Sequence, residues 1–249
     1  MLWWYFPLLF VTGLIVGFVN TIAGSGSFLS LPVLIFTGMP ANVANGTNRI
    51  SILASSLTGV LSFNRKNYFD IRNAAILAAF AIPGAIAGSF FVIEISDQIV
   101  EKIIGYVMLA FAVLTLWRPM SFNRKPTPGA VFKIKWFHGI LFILIGFYGG
   151  FIQAGVGIFM LFALVLSVGY DLVNANSIKL ALTLVFTPFS LAVFIMNDQV
   201  EWIPGLVLAA GSILGALLGA RIAIRKGIGF MKLVLFAVLL LSAAKLIFS

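Results

Sequence analysis

The strongest constraint on this chain is that it repeats itself. Ala23-Gly24-Ser25-Gly26-Ser27 returns about 131 positions later as Ala154-Gly155-Val156-Gly157-Ile158, and the match continues without a gap. Phe28 pairs with Phe159, Gly38 with Gly169, and Ala44-Asn45 with Ala175-Asn176. Further on, Asp70 pairs with Glu201, Leu77-Ala78-Ala79 with Leu208-Ala209-Ala210, Gly84-Ala85 with Gly215-Ala216 and Gly88 with Gly219. Leu and Ala matches come cheaply in an apolar chain, so the weight rests on the glycines and asparagines. They define two copies of one unit, each with a glycine break near its start.

Both copies are too apolar for a soluble domain. Hydrophobic residues make up 61% of the 249 and charged residues 9%, with a mean hydropathy of +1.13; a soluble domain carries roughly 25% charged residues. Such a chain is a membrane protein built from spanning helices, with the bilayer as its solvent. In a soluble protein the net charge of +9 would suggest nucleic acid. Here the basic residues sit in connecting segments and follow the positive-inside bias, so no nucleic-acid partner is expected. There is no cysteine and one histidine, His138. Disulfides and thiolate metal sites are excluded, and neither a metal nor a cofactor is expected. The apolar run 2–19 lacks a basic leader and a small-residue cleavage site, and reads as a retained helix.

Residues 2–23 form an apolar run that stops at the first break. The next run, 28–37, has about ten residues, half of what a helical span needs. The two together read as a broken or re-entrant hairpin. Spans follow through about 63, over 73–92 and over 103–117. The second copy repeats the plan: 136–154, a break, a short run 158–168, then helices to about 196, over 203–224 and over 230–248. The expected organisation is a first repeat at 1–117, a basic linker at 118–135 and a second repeat at 136–249. The basic segments 64–72, 118–135 and 221–232 are assigned to the cytoplasm, and 94–101 and 198–201 to the outside. Equivalent loops then fall on opposite sides. The fold expected is therefore all-α, with two inverted-topology repeats, each a glycine-broken hairpin followed by three transmembrane helices. Broken helices in inverted repeats are a hallmark of secondary transporters.

One Gly-x-Gly pair alone is accounted for by close helix packing. Two in register, each beside an undersized apolar run, point to a site. Gly24, Ser25, Gly26 and Ser27 on one side and Gln153, Gly155 and Gly157 on the other are the candidates there, offering backbone N–H groups, hydroxyls and an amide. Gly84, Gly88, Gly215 and Gly219, spaced by four, are assigned to packing. The polar runs Asn45-Gly46-Thr47-Asn48-Arg49 and Asn174-Ala175-Asn176-Ser177-Ile178-Lys179 read as helix N-termini, which attract anions. Asn45, Gly46, Thr47, Asn48, Arg49, Asn176, Ser177 and Lys179 thus join the candidate substrate-binding set, with Lys179 ahead of Arg49 as the anion's cation. Arg221 and Lys245, near helix ends, are read as snorkelling. His138 is read as interfacial. All seven carboxylates map to loops or helix ends, so no acidic proton relay is visible. With no nucleophile–base pair, no catalytic residue is assigned and the chain is not read as an enzyme.

Gly24-Ser-Gly26, Leu31-Pro-Val-Leu34, Gly38-Met-Pro-Ala41 and Ala44-Asn-Gly-Thr-Asn48 together resemble the signature of the sulfite exporter TauE/SafE family. Gly155-Val-Gly157 and the polar run ending at Lys179 resemble its second half, with Asn176-Ser177 in place of the second Gly-Thr pair. The resemblance covers nearly the whole chain. It implies a multi-pass permease exporting sulfite, a sulfonate or a related sulfur oxyanion across the cytoplasmic membrane. Outside that resemblance, a carrier of another small anion such as a carboxylate, or an accessory membrane subunit without its own site, fits the residues. A homo-oligomer is compatible with either. Reporter fusions at Ser121 and Ser249 test the topology: Ser121 is expected inside and Ser249 outside, and a cytoplasmic Ser249 would remove the inverted-repeat argument.

Overall fold

The computed structural model describes residues 4–64, 71–117 and 134–226. The expected last span, 230–248, and the linker from 118 to 133 lie outside them. In the first copy the helices are α1 (Tyr5–Ala23), α2 (Ser27–Phe36), α3 (Ala41–Asn64), α4 (Ile71–Ile93) and α5 (Asp97–Trp117). The second copy holds α6 (Trp136–Phe151), α7 (Val156–Phe162) continued by a π-helical segment (Ala163–Val168), α8 (Leu172–Met196) and α9 (Trp202–Lys226). The repeat is kept at the element starts: Tyr5 and Trp136, Ala41 and Leu172, Ile71 and Trp202 are each 131 residues apart. Among the described residues, the four glycines with left-handed backbone pair in the same register, Gly24 with Gly155 and Gly38 with Gly169. A side chain at such a φ is strained, so glycine is the default there.

Helices α1, α4, α8 and α9 are each long and apolar enough to cross a membrane, whereas α2 and α6 are shorter. The two hairpins are therefore unequal. With 19 residues at about 1.5 Å each, α1 alone reaches nearly the thickness of a bilayer core. Pro32 lies inside α2, and its register mate Ala163 opens the π-helical segment. Both short return helices thus depart from regular α-helix at the same point, one because proline lacks an N–H, the other through wider turns.

The halves are interleaved. Helix α1 packs chiefly on α9, and α6 chiefly on α4. Gly13 and Gly17 of α1 face the backbone of Leu208 and Ser212, while Gly211 and Gly215 of α9 face Phe10 and Leu14. Likewise Gly146 and Gly150 of α6 face Ala81 and Ala85, and Gly84 and Gly88 of α4 face Ile143 and Phe147. Glycines one turn apart let backbones touch, as in small-residue packing of membrane helices. Numbers rise together along both pairs, so each pair runs parallel. The short contact between the Ser51 and Ser212 hydroxyls (2.5 Å) joins α3 to α9, and a Ser89–Ser190 contact joins α4 to α8. Between α3 and α8 the order reverses: the Arg49 guanidinium lies over the Phe194 ring and Gly59 faces Leu180. Helices α1, α3 and α9 thus run one way, and α4, α6 and α8 the other.

Two glycine substitutions separate packing from backbone strain. Gly215→Val drives a side chain into the Leu14 backbone and is expected to cost about 3 kcal/mol. Gly38→Ala has open space around it but φ +91°, and should cost about 1 kcal/mol. Thermal unfolding in detergent reads both.

Candidate functional site at the meeting of two broken helices

At the first break α1 ends on Gly24. Its N–H donates to the carbonyls of Asn20 (3.0 Å) and Val19 (3.2 Å), a left-handed helix cap. The Gly26 N–H is held by the Asn20 side-chain oxygen at 2.7 Å. At the second break α6 ends on Ile152, and Gln153 takes a left-handed φ of +64°. Glycine is needed where the breaks touch: a Cβ on Gly24 would come within 2.6 Å of the Gly157 Cα.

Ending a helix leaves carbonyls without partners, and these ends are buried. Each is closed by an asparagine and a cation from the other half. The Arg49 Nη1 donates to the Gly149 carbonyl (3.1 Å) and to Gln153 Oε1 (2.6 Å), and its Nη2 to the Gly150 carbonyl (2.5 Å) and more weakly to Asn45 Oδ1 (3.4 Å). The Asn45 Nδ2 donates to the Phe151 carbonyl at 2.7 Å. On the opposite side Lys179 Nζ donates to the Asn20 carbonyl (2.9 Å) and to Asn176 Oδ1 (2.6 Å). The Asn176 Nδ2 donates to the Thr21 carbonyl at 2.8 Å. Positive charge at a helix C-terminus is favourable on dipole grounds as well. Both cations are fully buried. Among the described residues every hydrogen-bond acceptor named for them is neutral.

A small, partly open cavity lies between the breaks, lined by Gly24, Ser27 and Lys179 with Gln153 and Gly157. Asn20, Ser56 and Thr183, which sequence reasoning missed, complete its polar wall, and Ile52, Val156 and Leu180 its apolar one. The missed Asn20 carries a visible signal: an amide within an apolar helix, one turn before the break. Lysine has three donors, and two are used. The Ser27 Oγ accepts from Asn48 Nδ2 at 3.1 Å, so its own O–H is free to donate elsewhere.

The remaining candidates lie around this cavity. Arg49 is not among the lining residues. Asn48 binds Ser27 and Ser30, tying α3 to α2. Gly46 faces the Gln199 carbonyl and Phe194, while Thr47 Oγ1 accepts from the Glu201 N–H at 2.8 Å. Both support the loop before α9. Ser177 bonds back to the Asn174 carbonyl. The Ser25 hydroxyl is buried without a partner, and Gly155 abuts the Phe28 ring.

Two expectations need correction. The polar runs are not helix N-termini, because α3 starts at Ala41 and α8 at Leu172, with Asp171 as the side-chain cap accepting from the N–H groups of Val173 and Asn174. The runs sit within the helices, where their side chains reach across to the other half. The N–H groups of Gly24 and Gly26 are already bonded, so they are not free for a ligand. His138 lies at the start of α6, its Nδ1 accepting the Lys135 N–H.

A bundle of apolar helices around two capped breaks and a polar cavity defines a multi-pass membrane protein. Residues 9–246 match the model of the sulfite exporter TauE/SafE family, and the chain belongs to that family. It is 30% identical over 220 residues to a probable membrane transporter protein of Haemophilus influenzae, covering 88% of this chain and 86% of that one. It is 28% identical to probable membrane transporter protein ORF9 of Sinorhizobium sp. (96% and 91% covered) and 27% to probable membrane transporter protein YfcA of Escherichia coli (97% and 89% covered). No solved structure matches. Arg49→Met strips donors from the Gly149 and Gly150 carbonyls and from Gln153, and is expected to lower stability by about 3 kcal/mol. Arg49→Lys should recover part of it, both read by thermal unfolding.

Proposed function

We propose that the chain is an inverted-repeat exporter of a small sulfur oxyanion, sulfite or an organosulfonate, held between the two breaks. The observation that carries this is Lys179. It is buried, it lines the cavity where the breaks meet, and its hydrogen-bond partners are neutral oxygens. A buried charge without a counter-ion is costly, and an anion entering the cavity supplies one. The Ser27 hydroxyl adds a donor. Arg49, spent on the α6 carbonyls, acts as a brace for the second break. The opposed directions of α3 and α8, and of the α1 and α6 groups, support the inverted repeat. The family's description supports a sulfur oxyanion over a carboxylate.

In this reading the cytoplasmic membrane is the site of action, with both termini outside. A potential negative inside favours outward movement of each negative charge by about 2.3 kcal/mol per 100 mV. For a divalent anion the effect doubles, and no proton relay is needed. Labelled sulfite, taurine, sulfoacetate and a carboxylate control in proteoliposomes test it. Flux of sulfite or sulfoacetate, which carry net negative charge where taurine is a zwitterion, should follow a potential set with valinomycin, and Lys179→Gln should abolish saturable flux while leaving insertion intact. Flux that ignores the potential but follows an imposed pH or sodium gradient would overturn the mechanism. Normal flux in Lys179→Gln would move the site.

A further inference from the structure

We infer that Asn20 is a substrate-binding residue, its amide Nδ2 the neutral donor to the anion beside Lys179, and that the chain holds one anion, at the first break only. This rests on the anion-transport reading above and goes beyond it by assigning a ligand and a stoichiometry.

Asn20 is one turn from the end of α1, lines the cavity and is 9% exposed. Three of its polar atoms have different fates. The backbone carbonyl accepts from Gly24 N–H and Lys179 Nζ. The side-chain oxygen accepts the Gly26 N–H at 2.7 Å, which fixes the orientation of the amide. With Oδ1 committed, Nδ2 can only donate, and it is buried with no partner. An unmade hydrogen bond of this kind is costly to leave in place. A small anion in the cavity, with Lys179 bonded to the same residue's carbonyl, answers both groups at once. The side chain thus braces the break through its oxygen and presents its nitrogen to the ligand.

The second break has one buried donor without a partner, Arg49 Nε, but Arg49 does not line the cavity. In the 131-residue register Asn20 meets Phe151, whose carbonyl is taken by Asn45. Gln153, which does line the cavity, is committed within the protein, Oε1 to Arg49 and Nε2 to Thr187. The near-symmetric fold therefore carries an asymmetric site.

The test is calorimetric titration of detergent-purified full chain with sulfite, taurine, sulfoacetate and acetate, beside thermal unfolding. Wild type should bind at least one sulfur oxyanion with one site per chain. Asn20→Ala should weaken that binding roughly tenfold and lower the unfolding temperature, since the Gly26 brace goes too. Asn20→Asp keeps an oxygen for Gly26 but replaces the donor with a carboxylate. It should unfold near the wild-type temperature and lose anion binding. Binding in Asn20→Asp as in wild type would leave Asn20 a brace only and overturn the inference, as would two sites per chain. Should Asn20→Asp not be recovered monodisperse, an anomalous map of wild-type crystals grown with selenite decides. A peak beside Nδ2 supports the inference, and a peak elsewhere or none overturns it. Failure of wild type to bind any of the four anions would instead remove the transport reading itself.

Discussion

Everything in this structure depends on what happens to carbonyl groups where a helix stops inside a protein that spans a membrane. Bare backbone cannot face lipid, so its polar groups must be met by protein or line a water-filled cavity. Here each broken helix ends against the other half of the chain, which supplies an asparagine and a cation: Asn45 and Arg49 for α6, Asn176 and Lys179 for α1. The exchange is reciprocal, so each half completes the other's break. The glycine crossings of α1 on α9 and α6 on α4 are reciprocal in the same way. Two copies of one unit therefore form a single body, and one of the closing groups, Lys179, also lines the cavity between the breaks.

Much of this was legible in the residues. The 131-residue register located both breaks, and it extends to the starts of α1, α3 and α4 against α6, α8 and α9. Gly84, Gly88, Gly215 and Gly219 read as packing positions from their spacing, and each faces a backbone. The polar runs were harder. A cluster of Asn, Ser and Thr before an apolar stretch resembles a cap, but Asp171 caps α8 three residues before Asn174. What keeps Asn45 and Asn176 in their helices is a partner more than a hundred residues away, and local pattern carries no trace of that. Asn20 stands out as an amide within an apolar helix, but its role comes from Gly26, Lys179 and the cavity together. The π-helical turn after α7 has no sequence mark beyond its register with Pro32.

The two cations illustrate how a symmetric fold supports an asymmetric task. Both are buried and both close a helix end. Arg49 spreads its planar fork over two carbonyls and an amide, with Phe194 beneath it, an arrangement guanidinium suits and ammonium does not. Lys179 makes two contacts and keeps one donor, at the edge of open space. In the proposed reading the fork is the brace and the point charge the anion's partner.

The central claim is that the meeting point of the breaks is an aqueous, anion-binding cavity. The chain has no cysteine, so Ser56→Cys and Val156→Cys on the cavity wall can be labelled singly with a small charged methanethiosulfonate in sealed vesicles. Reaction from at least one side, slowed by sulfite, taurine or sulfoacetate, is the result this account predicts. Cysteines inert from both sides, or labelled at a rate none of the three anions changes, would contradict it.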